Sequence, residues 1–149
     1  MSLSLIRDQI KAILLATSGV GTKVHDYERW AKTWEDYLAF FKSNGLIKGW
    51  TITRTATSEA KSTTTTNMRT HTFLIRGYYS LDDSAATEKT FQNVIEAIAT
   101  AFRADPSLNG TAFDSDPLQV DLVGNVMFGS VLCHFCELRL LVQEEEQWR

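Results

Sequence analysis

The spacing of apolar residues changes twice along the chain, and that change limits the folds open to it. Between Ile47 and Thr57 the period is two, with Trp50, Ile52, Arg54 and Ala56 alternating with Thr51, Thr53, Thr55 and Thr57. This is strand chemistry with one face buried. Upstream, Leu3, Ile6, Ile10, Ile13 and Leu14 recur at helical spacing with Arg7, Asp8 and Lys11 opposite. That predicts an amphipathic helix over 3–17, stopped by Gly19 and Gly21. Downstream, Phe91, Val94, Ile95, Ile98 and Phe102 return to helical spacing. There Asp82, Asp83 and Ser84 offer capping side chains and Asp105-Pro106 an end.

The remaining segments fall into place around these. Residues 22–27 read as a short strand or an extended linker. Trp30, Trp34, Tyr37, Leu38 and Phe41 form an aromatic stripe interleaved with Glu28, Arg29, Lys32, Glu35 and Asp36, a second helix ending at Ser43-Asn44-Gly45. Residues 70–79 are a return strand that can lay Phe73 and Ile75 across from Trp50 and Ile52. Residues 118–123 and 130–143 read as a final hairpin joined by Gly124 and Asn125, with Met127 and Phe128 lengthening the turn. The element order is α-(β)-α-β-β-α-β-β. It predicts one α+β domain over 1–149, an antiparallel sheet of about four strands, two hairpins, covered on one face by about three helices.

Composition agrees with such a domain. The 149 residues are 44% hydrophobic and 22% charged, an ordinary globular balance that argues against disordered, fibrous or coiled-coil chains. A net charge of −3 argues against a dedicated nucleic-acid binder, which carries a basic stripe to neutralise phosphates. No apolar run approaches the roughly 18 residues a membrane helix needs, and Arg7-Asp8 interrupts the N-terminal apolar stretch. The expectation is a soluble, unexported chain.

Motifs with chemical promise are weak. Cys133 and Cys136 have C-x-x-C spacing, yet the surrounding segment reads as a strand. Residues three apart there point to opposite faces, with α-carbons about 10 Å apart, beyond disulfide reach. They read as buried structural thiols. His134 between them has no second ligand cluster to complete a zinc site, and His25 and His71 are isolated, so no metal or other cofactor is expected. The run Thr17-Ser18-Gly19-Val20-Gly21-Thr22-Lys23 lacks Walker spacing and follows a helix, so it reads as a C-cap and turn. Asp114 and Asp116 lack the other positions of a calcium loop and read as a turn. His25-Asp26 has no nucleophile in a recognisable elbow, so no catalytic residue is assigned.

Two polar extensions stand out. Residues 58–67, with four consecutive threonines, bury little apolar surface and read as a long hairpin tip, mobile when the subunit is alone. Residues 144–149 read as a charged, frayed tail.

In the passage Val24-His25-Asp26-Tyr27-Glu28-Arg29-Trp30, in Ile75-Arg76-Gly77-Tyr78-Tyr79 leading to Ser80-Leu81-Asp82-Asp83, and in its element order, the chain resembles phage tail terminator and related tail-completion proteins. The resemblance implies a non-enzymatic structural protein without cofactors, made in the host bacterial cytoplasm and found in the virion tail or neck. It implies a homo-oligomeric ring, commonly a hexamer, that caps the tail tube and takes part in head-tail joining. Its partners would be copies of itself, the tail tube protein and a head-tail connector or neck protein, with no membrane and no sequence-specific nucleic acid. A closed ring needs two different patches of one subunit to meet, and a projecting hairpin or edge strand supplies one. The interface candidates are Glu59, Lys61, Thr63, Thr64, Thr65, Thr66, Asn67 and Arg69. Cys133 to Cys136 and the four-threonine tip have no counterpart in that family. The competing readings are a small-molecule-binding or isomerase-like domain with a cavity between sheet and helices, and an adaptor for a protein partner.

Overall fold

The computed structural model describes residues 2–27, 29, 31–43, 46–128 and 131–147. Glu28 and Trp30 of the expected aromatic helix, its stop at Asn44-Gly45, Ser130 at the expected start of the last strand, and Trp148-Arg149 of the tail lie outside the described residues, as does the Trp34 side chain.

Helix α1 (Leu3–Ala16) starts where Ser2 Oγ accepts a hydrogen bond from Leu5 N–H, and it buries Ile6, Ile10 and Leu14. The apolar stripe at i, i+4 and i+8 thus becomes the core face. The turn after it uses Gly19 at φ +91°, where any β-carbon would also collide with Val94. Strand β1 (Lys23–His25) follows. Helix α2 (Trp34–Ala39) is shorter than the aromatic stripe predicts. The Thr33 hydroxyl accepts from Asp36 N–H and fixes the start, with Glu35 and Asp36 favourably placed in the first turn.

A two-residue strand β2 (Lys42–Ser43) turns into β3 (Leu46–Lys61), which pairs with β4 (Thr66–Ser80). Helix α3 (Thr87–Ala104) buries Phe91, Val94, Ile95, Ile98 and Phe102. The expected cap at residues 82–84 belongs instead to the 3-10 turn Asp83–Ala85. Asp82 Oδ1 accepts there from Ser84 and Ala85, while the N-cap of α3 is Ala86, φ 54°, which offers no side-chain cap. The chain closes with β5 (Asp114–Ser115), β6 (Gln119–Phe128) and β7 (Val131–Gln147).

The class is α+β. Both expected hairpins form, and they join through β4 and β7, which pair antiparallel from Ser80 opposite Cys133 to Thr66 opposite Gln147. The second hairpin is longer than expected, because Gly124 and Asn125 lie within β6, opposite Phe135 and His134, and do not make its turn. Ile52 lies opposite Ile75, while Phe73 faces Arg54 and Trp50 faces Gly77. Three short strands enlarge the expected sheet. In the order β1-β3-β4-β7-β5, β2 also pairs with β3 and β6 with β7. Nor is it wholly antiparallel, because β1 runs parallel to β3. A parallel neighbour needs a crossover, and the segment carrying α2 supplies it.

That crossover corrects a second expectation, since the helices do not all cover one face. Helices α1 and α3 pack with Trp50, Ile52, Phe73, Ile75, Cys136, Leu138, Leu140 and Val142 in the main core. Leu38 of α2 and Phe41 just after it pack with Ile47 and Cys133 in a separate cluster on the reverse face. The two cysteines therefore sit in different clusters on opposite faces, both buried and free.

Candidate interaction surface

Beyond residue 53, strands β3, β4 and β7 continue side by side as a ribbon. The sequence expectation of an unpaired tip over residues 58–67 is corrected here. Ala60 pairs with Met68 and Lys61 with Asn67, which leaves only residues 62–65 as the turn. The charged tail is corrected too, because β7 pairs as far as Gln147, opposite Thr66. Backbone groups left bare in a polar loop gain ladder partners this way, and threonine suits a pleated strand.

The turn is closed by its own hydroxyls. Thr63 Oγ1 accepts from the N–H groups of Thr65 and Thr66 at 3.2 and 3.1 Å and lies 2.6 Å from Thr66 Oγ1. Ser62 N–H and Thr63 N–H both donate to Thr66 O, and Thr66 is buried. The Thr64 and Thr65 side chains are exposed.

A bulge between Arg54 and Ala56 decides which side the ribbon residues face. The extra residue shifts the alternation by one. Thr57, Glu59 and Lys61 then lie opposite His71, Arg69 and Asn67, on the face that carries Phe73 and Ile75 nearer the core. Across three strands, Glu59, Arg69 and Glu144 form a row. Arg69 Nε is 3.1 Å from Glu59 Oε1 and Nη1 is 3.7 Å from Glu144 Oε2. The first contact is an ion pair by distance without hydrogen-bond alignment. Asn67 Nδ2 donates to Glu59 Oε2 at 2.7 Å.

Of the eight candidates, Glu59, Asn67 and Arg69 thus form one network, and Lys61 lies opposite Asn67. Thr63 and Thr66 build the turn, while Thr64 and Thr65 are displayed at its tip. Sequence reasoning missed Thr57, His71 and Glu144, which complete the network. Nε2 of His71 donates to Glu144 Oε2 at 2.7 Å, and Nδ1 is 2.8 Å from Thr57 Oγ1. His71 is 0% and Glu144 1% exposed. A buried carboxylate needs such a partner. The sequence signal was the register itself, since Glu144 continues the even-numbered buried series Leu138, Leu140 and Val142.

A hydroxyl, an imidazole and a carboxylate in a row share the connectivity of hydrolase triads. Here they lie on a sheet face. Among the described residues, cavities of about 330, 390 and 300 Å³ lie elsewhere, around Leu46 and Tyr79, between α1 and α3, and beside Asn125 and His134. Trp50, Phe73 and Phe91 are buried together in the core between the sheet and α1 and α3. Among the described residues no three His, Cys, Asp or Glu side chains are grouped to hold a metal, and no helix is long and apolar enough to cross a membrane.

The earlier minor motifs have structural places. Thr17 N–H bonds Leu14 O at the α1 C-terminus. Asp114 lies in β5 rather than in a turn, and Asp116 Oδ1 accepts from Gln143. His25 Nε2 donates to Phe40 O at 2.7 Å, so Nδ1 accepts from Arg29, 3.2 Å away. The Arg29 guanidinium also stacks 3.9 Å over Phe40. Burial, then the positive charges of Arg29, Lys11 and Lys23, lowers the His25 pKa against the opposing Phe40 bond.

No protein-family model matches the chain, and no curated protein matches its sequence.

Proposed function

We propose that this protein is a non-enzymatic structural subunit of a bacteriophage or prophage tail, assembling as a ring, commonly of six copies, that caps the tail tube and takes part in head-tail joining. Its partners are further copies of itself, the tube protein and a connector or neck protein, and its place is the virion tail or neck. The observation that supports this reading best is the three-stranded ribbon beyond residue 53. Its strands are paired as far as Lys61 and Asn67 and its exposed Thr64-Thr65 tip is prefolded, so docking it orders little additional chain. A rigid projection meets a neighbour without the entropy penalty that a flexible arm incurs.

Purified protein examined by light scattering and negative-stain microscopy, alone and with tube protein, tests the proposal. Ring-sized particles that halt tube growth support it. Thr64→Arg with Thr65→Arg, at exposed positions, is expected to weaken ring or tube contact while leaving the circular dichroism and melting of the subunit intact. A monomer that neither assembles nor affects tube growth removes the reading.

A further inference from the structure

The two side edges of the sheet carry opposite charge and are both open. On one edge, β1, β2 and β3 hold Lys23, Lys42, Lys48, Arg54 and Lys61 against Glu59 alone. On the other edge, no lysine or arginine occurs between Arg103 and Arg139, while the segment carrying β5 and β6 holds Asp105, Asp114, Asp116 and Asp121, of which Asp121 is paired with Arg139 of β7, Oδ2 to Nε 3.4 Å. Asp114, Asp116 and Asp121 are exposed, as are Lys42, Arg54 and Lys61.

The backbone is open on the same two edges. Among the described residues, strand β6 pairs only with β7, strand β3 meets β2 at Leu46-Ile47 and β1 at Gly49–Thr51, and its run 52–61 pairs on one side only, with β4. Unpaired runs of this length template the addition of another strand. The direction also fits. Strands β3, β4, β7 and β6 alternate in sense, so β6 runs opposite to β3. A second copy set beside β6 in the same orientation presents its β3 antiparallel.

We propose that the acidic β5–β6 edge of one copy binds the basic β1–β3 edge of the next, a heterologous contact between copies of this chain. This rests on the ring reading above and names its interface. The partner is a second copy because each edge carries the charge the other lacks, and complementary charge fixes register and rejects like edges. The open runs are offset. Strand β6 lies along residues 131–139 of β7, and the open run of β3 lies level with residues 138–146. Joining them displaces each copy along the strands, and closed sheets require such a stagger.

Charge exchange tests it. Variant one carries Asp114→Lys, Asp116→Lys and Asp121→Lys; variant two carries Lys23→Glu, Lys42→Glu and Arg54→Glu. Each alone brings like charges together and is expected to run as a monomer that stays folded by circular dichroism. Their equimolar mixture restores the assembled species by light scattering, because every junction in an alternating ring is again complementary. Wild-type assembly should weaken between about 0.05 M and 1 M salt, where exposed charges are screened. If a triple variant does not fold, Asp114→Asn and Arg54→Gln, each neutralising one exposed charge, must shift the wild-type salt midpoint downward. Wild-type rings with both triple variants assembling unchanged would overturn this interface and leave the ring reading standing. A wild-type monomer under every condition overturns both.

Discussion

The Trp50 indole lies flat across β4 on Gly77, in the volume a side chain at 77 would need. The two residues pair across the β3–β4 ladder, and a β-carbon at 77 would collide with Cζ3, Cε3 and Cη2 of the ring. Trp50 is 0% exposed and tilts against Phe91 of α3, with ring centres 6.0 Å apart. Glycine costs a strand both entropy and packing, and here it makes room for the largest side chain of the core.

Gly77→Ala should therefore destabilise the protein by about 1–3 kcal/mol through overpacking. Trp50→Phe in the same background should recover part of that loss, since the smaller ring frees the space. The indole Nε1 is buried without a partner, so the Phe substitution removes an unsatisfied donor as well. Urea unfolding followed by circular dichroism reads both effects. A Gly77→Ala variant as stable as wild type would show that the ring can shift at little cost.

The His71–Glu144 pair ties the end of β7 to the ribbon. Glu144→Ala leaves a buried imidazole N–H without its acceptor, and an unsatisfied buried donor costs about 1–3 kcal/mol. Glu144→Gln keeps an oxygen that can accept from Nε2 and should cost less. A double-mutant cycle with His71→Ala should show coupling of about 0.5–3 kcal/mol between the sites. A frayed tail predicts the opposite, with Glu144→Ala within about 0.5 kcal/mol of wild type.

Where the sequence was informative, periodicity carried the information. The α1 and α3 stripes, the alternation through Ile52 and the opposed cysteines all follow from 3.6- and 2-residue periods, and the structure keeps them. Beyond Arg54 the same alternation misleads, because the bulge before Ala56 moves Thr57, Glu59 and Lys61 onto the face an unbroken strand would give to residues 56, 58 and 60. Nothing local marks that bulge. The ribbon was hidden for a related reason: a polar strand paired on a polar strand carries no hydrophobic signal, and the acidic composition of residues 144–146 gives no hint that Glu144 finds His71 73 positions away. The reverse-face position of α2 depends on β1 choosing a parallel neighbour, a long-range choice that no window of residues displays.

The thiols should be inert in the folded protein. Burial raises both pKa values, that of Cys136 to about 12, only partly offset by its Gly77 backbone bond. The thiolate is the reactive form, so at pH 8 a disulfide-exchange reagent should find almost no reactive sulfur until the chain unfolds. Both cysteines should then titrate together. Rapid labelling of Cys136 in the native state would mean that the β4–β7 region opens locally.

His25 gives stability a pH dependence with a definite sign. Burial, the largest influence, and nearby positive charges hold its folded pKa below the ordinary 6.5. As the pH falls from 6.5 toward the lowered folded value, the unfolded chain takes up the proton before the folded one, so this contribution to stability is present above 6.5 and lost as pH falls through that interval. Protonation also turns Nδ1 from an acceptor into a donor facing the Arg29 guanidinium, 3.2 Å away. Unfolding free energies measured from pH 7.5 to 5 should decline for wild type and decline less for His25→Gln, which cannot titrate there. Equal slopes would mean that His25 titrates alike in both states.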